Sequence, residues 1–195
     1  MQRPMTPRWA ALPLVAPTLV MVLAGCVPSR LPALEATLAA QPSATAALAQ
    51  WCNTQGLADP ATIRAAADRT PRAAPPAVRS ALGVAVGEPL GFRHVRLSCG
   101  GVVLSDAQNW FVPARLTPAM NDTLAHTDTP FGTVVAPLQF TRQRLAARRG
   151  RMAECPAGTV LSHRAVLRRP DGAAISLVVE CYTRASVQTP PASPR

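Results

Sequence analysis

Alternating hydrophobic and polar positions in the middle of the chain predict a β-hairpin. Between Phe92 and Cys99 the chain alternates, with Val95, Leu97 and Cys99 on one face and His94, Arg96 and Ser98 on the other. Gly100-Gly101 suits a two-residue turn between twisted strands. The predicted pairs are Cys99 with Val102, Leu97 with Leu104, and Phe92 with Asn109. In this register Arg96 lies on the same face as Asn109, because opposed residues share a face of the sheet.

A second hairpin is predicted around Arg169-Pro170-Asp171-Gly172, where proline suits the first turn position and Gly172 the left-handed one. Pairing Arg168 with Ala174 fixes the register and makes one face apolar. Its opposed pairs are Leu167 with Ile175, Ala165 with Leu177, and Leu161 with Cys181. The other face carries Ser162, Arg164, Val178, Glu180 and Tyr182.

Helices are predicted outside these hairpins. Apolar residues lie at near-helical spacing between Pro32 and Gly56, and Pro42-Ser43 divides this segment, with Ser43 as the N-cap of the second helix. Thr117 caps a further short helix. Because the strands cluster after helices along the chain, the predicted fold class is α+β with an antiparallel β-sheet.

The first 25 residues predict a secretory signal. Two arginines are followed by apolar residues from Trp9 to Leu23, and the segment ends on Leu23-Ala24-Gly25-Cys26. The apolar stretch is short for a membrane span, which needs about 20 residues. The junction resembles the lipobox of bacterial lipoproteins, in which the cysteine is acylated and becomes the new N-terminus. Two alternatives to a lipobox are an ordinary signal peptide with a chance cysteine and an uncleaved membrane anchor.

These features divide the chain into a lipoprotein signal peptide (1–25), a tether (26–32), one α+β domain (33–186) and a disordered tail (187–195). A lipid on Cys26 would hold the protein on a bacterial membrane, facing the periplasm. Val27 follows the cysteine in place of a retention aspartate, which favours the outer membrane.

The basic charge of the chain and its predicted export bear on whether it binds nucleic acid. The chain has 20 basic and 10 acidic residues, and every basic residue is an arginine. A basic balance can indicate nucleic-acid binding, but an exported protein does not normally meet a genome, so we expect no nucleic-acid partner. Arginines concentrate between Arg142 and Arg151, which we interpret as a solvated strand or loop.

The cysteines other than Cys26 predict two disulfides in an oxidising compartment, because their number is even. They are Cys52, Cys99, Cys155 and Cys181. Of the three pairings that four cysteines allow, we favour Cys52–Cys99, which would pin the second helix to the sheet, and Cys155–Cys181. The spacing matches no zinc motif and the three histidines are isolated, so we expect no metal.

An ordered set of segments resembles the chorismate lyase family, whose members remove pyruvate from chorismate to leave 4-hydroxybenzoate. The segments are Ala61-Thr62-Ile63-Arg64, Cys99 at a hairpin, Val112-Pro113, Thr129-Pro130-Phe131-Gly132, and Leu177-Val178-Val179-Glu180. The resemblance implies an antiparallel sheet with helices packed on one face, and small ligands bound against that sheet. It also implies activity without a cofactor.

The resemblance assigns candidate site residues. The family's glutamate falls on Glu180, a candidate catalytic group that could instead form a structural pair with Arg164. An apolar position becomes Phe131, a methionine becomes Thr62, and the substrate-binding arginine becomes Asn109. Since asparagine offers only a neutral amide where arginine offers a permanent charge, Arg115 or Arg96 would have to supply the charge.

Three functions stay open at this point. The domain binds a small aromatic or cyclic carboxylic acid without catalysis, or it is an active chorismate lyase-type enzyme, or it is an envelope module that binds a protein partner. Export argues against the enzyme, because chorismate is made in the cytoplasm.

Overall fold

The computed structural model describes residues 30–188, which form an α+β domain around one antiparallel sheet. The six strands lie in the order β1-β2-β3-β6-β5-β4. Their bounds are Ile63–Asp68 (β1), Gly91–Cys99 (β2), Val102–Phe111 (β3), Thr141–Arg149 (β4), Thr159–Arg168 (β5) and Ala174–Thr183 (β6). The two predicted hairpins are β2–β3 and β5–β6, and they join through the pairing of β3 with β6.

Most helices cover one face of this sheet, as expected from the sequence. The helices are Leu31–Ala40 (α1), Ala44–Thr54 (α2), Pro76–Leu82 (α3), Pro118–His126 (α4) and Phe131–Val134 (α5). Helices α1 and α2 pack on β2 and β6, and α4 and α5 continue the same layer towards the far ends of β3 and β5. The short α3 is the exception, because Val78 and Leu82 pack against Trp110 and Leu177 on the opposite face.

The predicted helix starts are confirmed. The Ser43 side chain accepts a hydrogen bond from the Ala46 N–H over 3.0 Å, and the Thr117 side chain accepts one from the Met120 N–H over 3.2 Å. Each satisfies a backbone donor that has no partner inside the first turn of its helix. Helix α1 begins at Leu31, inside the segment expected to be a tether.

The predicted registers of both hairpins are wrong by one residue beyond a β-bulge. Cys99 does pair with Val102, but Leu97 faces Ser105 and Phe92 faces Trp110. Arg168 does pair with Ala174, but Leu167 faces Ser176 and Ala165 faces Val178. The extra residues, Leu104 and Ile175, are fully buried. Burying an apolar side chain at the bulge favours the shifted register.

A one-residue shift moves every following side chain to the other face of the sheet. Arg93, and not Arg96, therefore lies directly opposite Asn109, while Arg96 faces Asp106 on the other side. Likewise His163 lies opposite Glu180, and Arg164 points away and pairs with Glu154. The second hairpin was predicted to have one apolar face and one polar face. In the structure both faces of β5 and β6 are buried.

Two disulfides connect the layers in the pairing favoured from the sequence. Cys52 in α2 is bonded to Cys99 at the end of β2, and Cys155, in the loop after β4, is bonded to Cys181 in β6. The first ties the helical layer to the sheet, and the second holds the loop against its opposite face.

The predicted signal peptide, Cys26 and the last seven residues of the predicted tail lie outside the described residues. Between residues 30 and 188, no helix combines the length and the apolar character needed to cross a membrane.

Candidate functional site

A cavity lies between the helical layer and the sheet, where the N-terminus of α2 meets α5. The centre of a water-sized sphere can occupy about 60 Å³ of it, and its empty space is about 530 Å³ when the part that opens to solvent is counted. Its apolar walls are Val95, Leu97, Ala107, Phe131, Leu167 and Val178, and its polar lining includes Ser43, Thr45, Asn109, Arg142 and Glu180. This combination of apolar walls and a few polar groups is typical of small-molecule sites.

Asn109 lines this cavity, and its side-chain amide has a hydrogen-bond donor that no described residue uses. The residue is 3 % exposed, and its Oδ1 accepts a hydrogen bond from the Ser176 hydroxyl. Its Nδ2 is buried and has no acceptor among residues 30–188. A buried amide donor without an acceptor costs about 1 to 3 kcal/mol, so a ligand oxygen at this position would be stabilised.

Glu180 and Arg142 form a buried ion pair at the cavity wall. Their side chains are 7 % and 6 % exposed, and the Tyr182 hydroxyl donates to Glu180 Oε2 over 3.0 Å. Burial alone would lower the pKa of Arg142, but the Glu180 carboxylate more than offsets this and the pKa is raised. Burial, together with the charge of Glu180, raises the pKa of Tyr182 well above its ordinary value. Tyr182 therefore stays protonated and acts as a donor.

His163 completes this buried cluster as a neutral group. It is 2 % exposed, and its Nδ1 lies 3.2 Å from Arg142 Nη2, so the ring accepts a hydrogen bond from the guanidinium. Burial lowers the pKa of His163 to about 4; Glu180 opposes that shift and Arg142 adds to it. At neutral pH the charged members of the cluster are Arg142 and Glu180, whose charges cancel.

The first turn of α2 adds a partial positive charge to the cavity. Ser43, Ala44 and Thr45 line it, and the first backbone N–H groups of a helix carry the positive end of its dipole. Gly132 allows α5 to approach this turn closely, because a Cβ at that position would lie 3.0 Å from Thr45 Oγ1. The glycine of the Thr-Pro-Phe-Gly segment thus shapes the cavity.

The structure brings together three of the residues that the sequence nominated. Asn109, Phe131 and Glu180 all line the cavity. Their positions come from β3, the first residue of α5 and β6, so the grouping depends on the pairing of β3 with β6.

The other three nominated residues lie outside the cavity, which corrects the sequence prediction. Thr62 is exposed just before β1, and Arg96 is exposed on the opposite face because of the bulge at Leu104. Arg115 donates to the carbonyl oxygens of Leu82, Gly83 and Ala174, and so ties α3 to the sheet. Neither arginine replaces the charge that Asn109 lacks.

Sequence reasoning missed Arg142, because it treated the whole arginine-rich segment as solvated. That interpretation holds for most of β4, whose side chains are largely exposed. A signal was available in the neighbouring Phe140, which is buried and has the same strand parity as Arg142. Residues two apart in a strand point to the same face, so Arg142 follows Phe140 towards the core.

Comparison with known proteins identifies a relative. No protein-family model matches the chain. The uncharacterized protein y4mC of Sinorhizobium fredii is 40 % identical to it over 77 % of this chain and 72 % of y4mC. The chain belongs to the y4mC family. The name of this relative says nothing about activity, so the site has to be interpreted from its own chemistry.

The solved structure of PhnF agrees with the chorismate-lyase-like fold. PhnF from Mycobacterium smegmatis is 17 % identical with a TM-score of 0.51, and the match covers 76 % of this chain and 66 % of PhnF. A transcriptional regulator of the GntR family from Bacillus cereus is 10 % identical with a TM-score of 0.44, over 67 % of this chain and 99 % of the regulator. The match spans about two thirds of the length of PhnF. At this level of identity PhnF supports only the fold of this chain and not its function.

Proposed function

We propose that this chain binds a small aromatic or cyclic carboxylic acid in the cavity between α2 and the sheet. The observation that carries the proposal is the buried amide nitrogen of Asn109, which lines the cavity and has no acceptor in the described part of the chain. A ligand carboxylate would accept from this donor and lie near the positive end of α2.

The apolar walls determine the rest of the ligand. Phe131 and Val178 are both 8 % exposed and line the same cavity, so a flat ring between the helical layer and the sheet would be buried on both faces. Arg142 Nε is also buried without an acceptor within residues 30–188. Because the Arg142 and Glu180 charges cancel, a bound carboxylate would be held by hydrogen bonds and by the positive end of α2 rather than by a net positive charge, which disfavours a second negative charge on the ligand.

Binding without turnover agrees best with the position of Glu180. A general acid or base must be free to exchange a proton with the substrate. Arg142 and the Tyr182 hydroxyl both donate to Oε2 of Glu180, so this oxygen already has two donors and the carboxylate is engaged in a buried ion pair. We therefore propose a binding protein and treat lyase activity as an outcome to be tested.

Calorimetric titration of the full-length chain with 4-hydroxybenzoate tests this proposal. Asn109→Leu should weaken binding about 10- to 150-fold, because one hydrogen bond to a charged group contributes about 1.5 to 3 kcal/mol. Arg96→Ala is the matched control: it removes a full positive charge from the opposite face and should leave the affinity unchanged.

The same preparations should be incubated with chorismate. Formation of 4-hydroxybenzoate would replace the binding proposal with the enzyme. If 4-hydroxybenzoate and other aromatic acids fail to bind, the cavity proposal is wrong, and a module for a protein partner becomes the better account.

We also propose that the protein is lipid-anchored at Cys26 on a bacterial membrane, facing the periplasm, with the outer membrane favoured. The proposal rests on the Leu23-Ala24-Gly25-Cys26 junction. Cys26→Ser should leave an unlipidated precursor in the inner-membrane fraction. Cleavage and soluble release of the variant at wild-type efficiency would contradict a lipobox.

A further inference from the structure

A second cleft lies at the edge of the sheet, beyond the end of β1. Asp68, the last residue of β1, pairs with His94, so the first residues of β2 extend past their neighbour. The cleft holds about 1000 Å³ of empty space, counting its open mouth, and is lined by β2, by α4 and by the loop after β1. The lining includes Arg69, Arg72, Phe92, Arg93, Phe111 and Leu124.

Arg93 is a buried cation whose partners are neutral. It is 1 % exposed, and its Nη1 and Nη2 donate to the carbonyl oxygens of Thr129 and Thr127 over 3.2 and 3.3 Å. Its Nε is buried without an acceptor between residues 30 and 188. Burial, and then the charge of Arg69, lower the pKa of Arg93 to about 10, while the Asp128 carboxylate opposes this shift, so Arg93 remains charged at neutral pH. Burying a charge without a counter-ion is costly.

Two further arginines leave the cleft with an excess of positive charge. Arg69 Nη2 lies 3.2 Å from the exposed carboxylate of Asp128, which offsets one charge. Arg72 is exposed and donates to the neutral side chain of Gln108 over 3.2 Å. Among the described residues that line the cleft, none is acidic. The three arginines are opposed by Asp128, which lies beside Arg69, and by Asp68, which interacts with Arg72, so the cleft keeps an excess of positive charge.

Two aromatic residues line the cleft where it curves round the edge of the sheet, Phe92 on the face of Trp110 and Phe111 on the face of the helical layer. Arg72 lies 5.2 Å from the centre of the Phe92 ring, and the Phe111 ring lies directly over Gly91, where a Cβ would come within 2.2 Å of it. The Phe111 and Phe131 rings are 5.6 Å apart. Since Phe131 lines the first cavity and Phe111 lines the cleft, this aromatic pair separates the two sites.

We propose that this cleft is a second binding site, which takes an aromatic dianion such as an aryl phosphate or an aromatic dicarboxylate. Among the described residues, three arginines and no acidic residue line the cleft, so it favours a ligand with more than one negative charge, and guanidinium groups bind phosphate and carboxylate oxygens well. The ring of the ligand would lie against Phe111, on the same face of the sheet as Arg93, with Arg72 at the rim. The first cavity, whose charges cancel, offers no excess positive charge to a dianion.

Calorimetric titration of the full-length chain with phenyl phosphate and with phthalate tests the site, with inorganic phosphate and phenol as probes that have only the charge or only the ring. Phenyl phosphate, phthalate or both should bind more tightly than either partial probe. Arg93→Gln should weaken that binding about 10- to 150-fold, and Arg72→Gln at the exposed rim about two- to fivefold.

Arg148→Gln is the matched control, because it removes an exposed arginine from β4 at the other edge of the sheet; it should change nothing. If Arg93→Gln does not fold, the rim variant Arg72→Gln decides the question.

Three results would overturn the proposal. Equal affinities for phenyl phosphate and inorganic phosphate, with no tighter binding of phthalate, would indicate only general attraction to a basic surface. Equal losses of affinity in Arg72→Gln and Arg148→Gln would indicate the same. Loss of binding of both dianions in Asn109→Leu would place them in the first cavity. Because the monoanion and dianion titrations use different probes and variants, one site can fail while the other stands.

Discussion

Arg142→Leu should lower the free energy of unfolding by about 3 to 5 kcal/mol, because it leaves the Glu180 carboxylate buried without its charge partner. The Glu180 side chain is 7 % exposed, so water does not replace the lost guanidinium. Chemical denaturation of the purified protein measures the change. Arg148→Leu, on the exposed side of the same strand, is the control and should change stability by less than about 0.5 kcal/mol.

The double variant Arg142→Leu with Glu180→Leu separates two quantities. One is the free-energy cost of leaving a buried charge unpaired, and the other is the net contribution of the ion pair to stability. Replacing both members of a buried ion pair with apolar residues is often close to neutral, so the double variant should recover much of the stability. Equal stability of Arg142→Leu and Arg148→Leu would mean that this buried pair does not form.

Removing either disulfide should also lower the free energy of unfolding substantially. Closing the loop between Cys52 and Cys99, 47 residues apart, should contribute about 4 kcal/mol, and closing the loop between Cys155 and Cys181, 26 residues apart, about 3.5 kcal/mol. Replacing each pair by serine and measuring unfolding tests both values, with alkylation before and after reduction to count thiols. Free thiols at all four positions in protein from an oxidising compartment would contradict both bridges.

Local sequence signals predicted the elements of the fold but not the pairing of every residue. Ser43, Thr117 and the two turns act within a few residues, and each was placed correctly. The bulges at Leu104 and Ile175 were missed. Each lies in a short apolar run, Val102-Val103-Leu104 or Ala173-Ala174-Ile175, where strict alternation breaks down. Such a run does not determine which residue is left unpaired, because burial against the helices decides it.

The same limit explains which site residues were found. Asn109, Phe131 and Glu180 came from the resemblance to chorismate lyase, and the structure places them around one cavity. Arg142 joins them through the pairing of β4 with β5 and of β5 with β6, which no local pattern contains. Arg93 was missed because the bulge exchanges it with Arg96 on the face that carries Asn109.

A crystal structure of the chain with 4-hydroxybenzoate tests the central claim most directly. We expect the ligand in the cavity between α2 and the sheet, with its ring against Phe131 and Val178. Its carboxylate should lie roughly 2.7 to 3.2 Å from Asn109 Nδ2, the distance of a hydrogen bond. Ligand density elsewhere on the protein, with this cavity empty, would contradict the assignment.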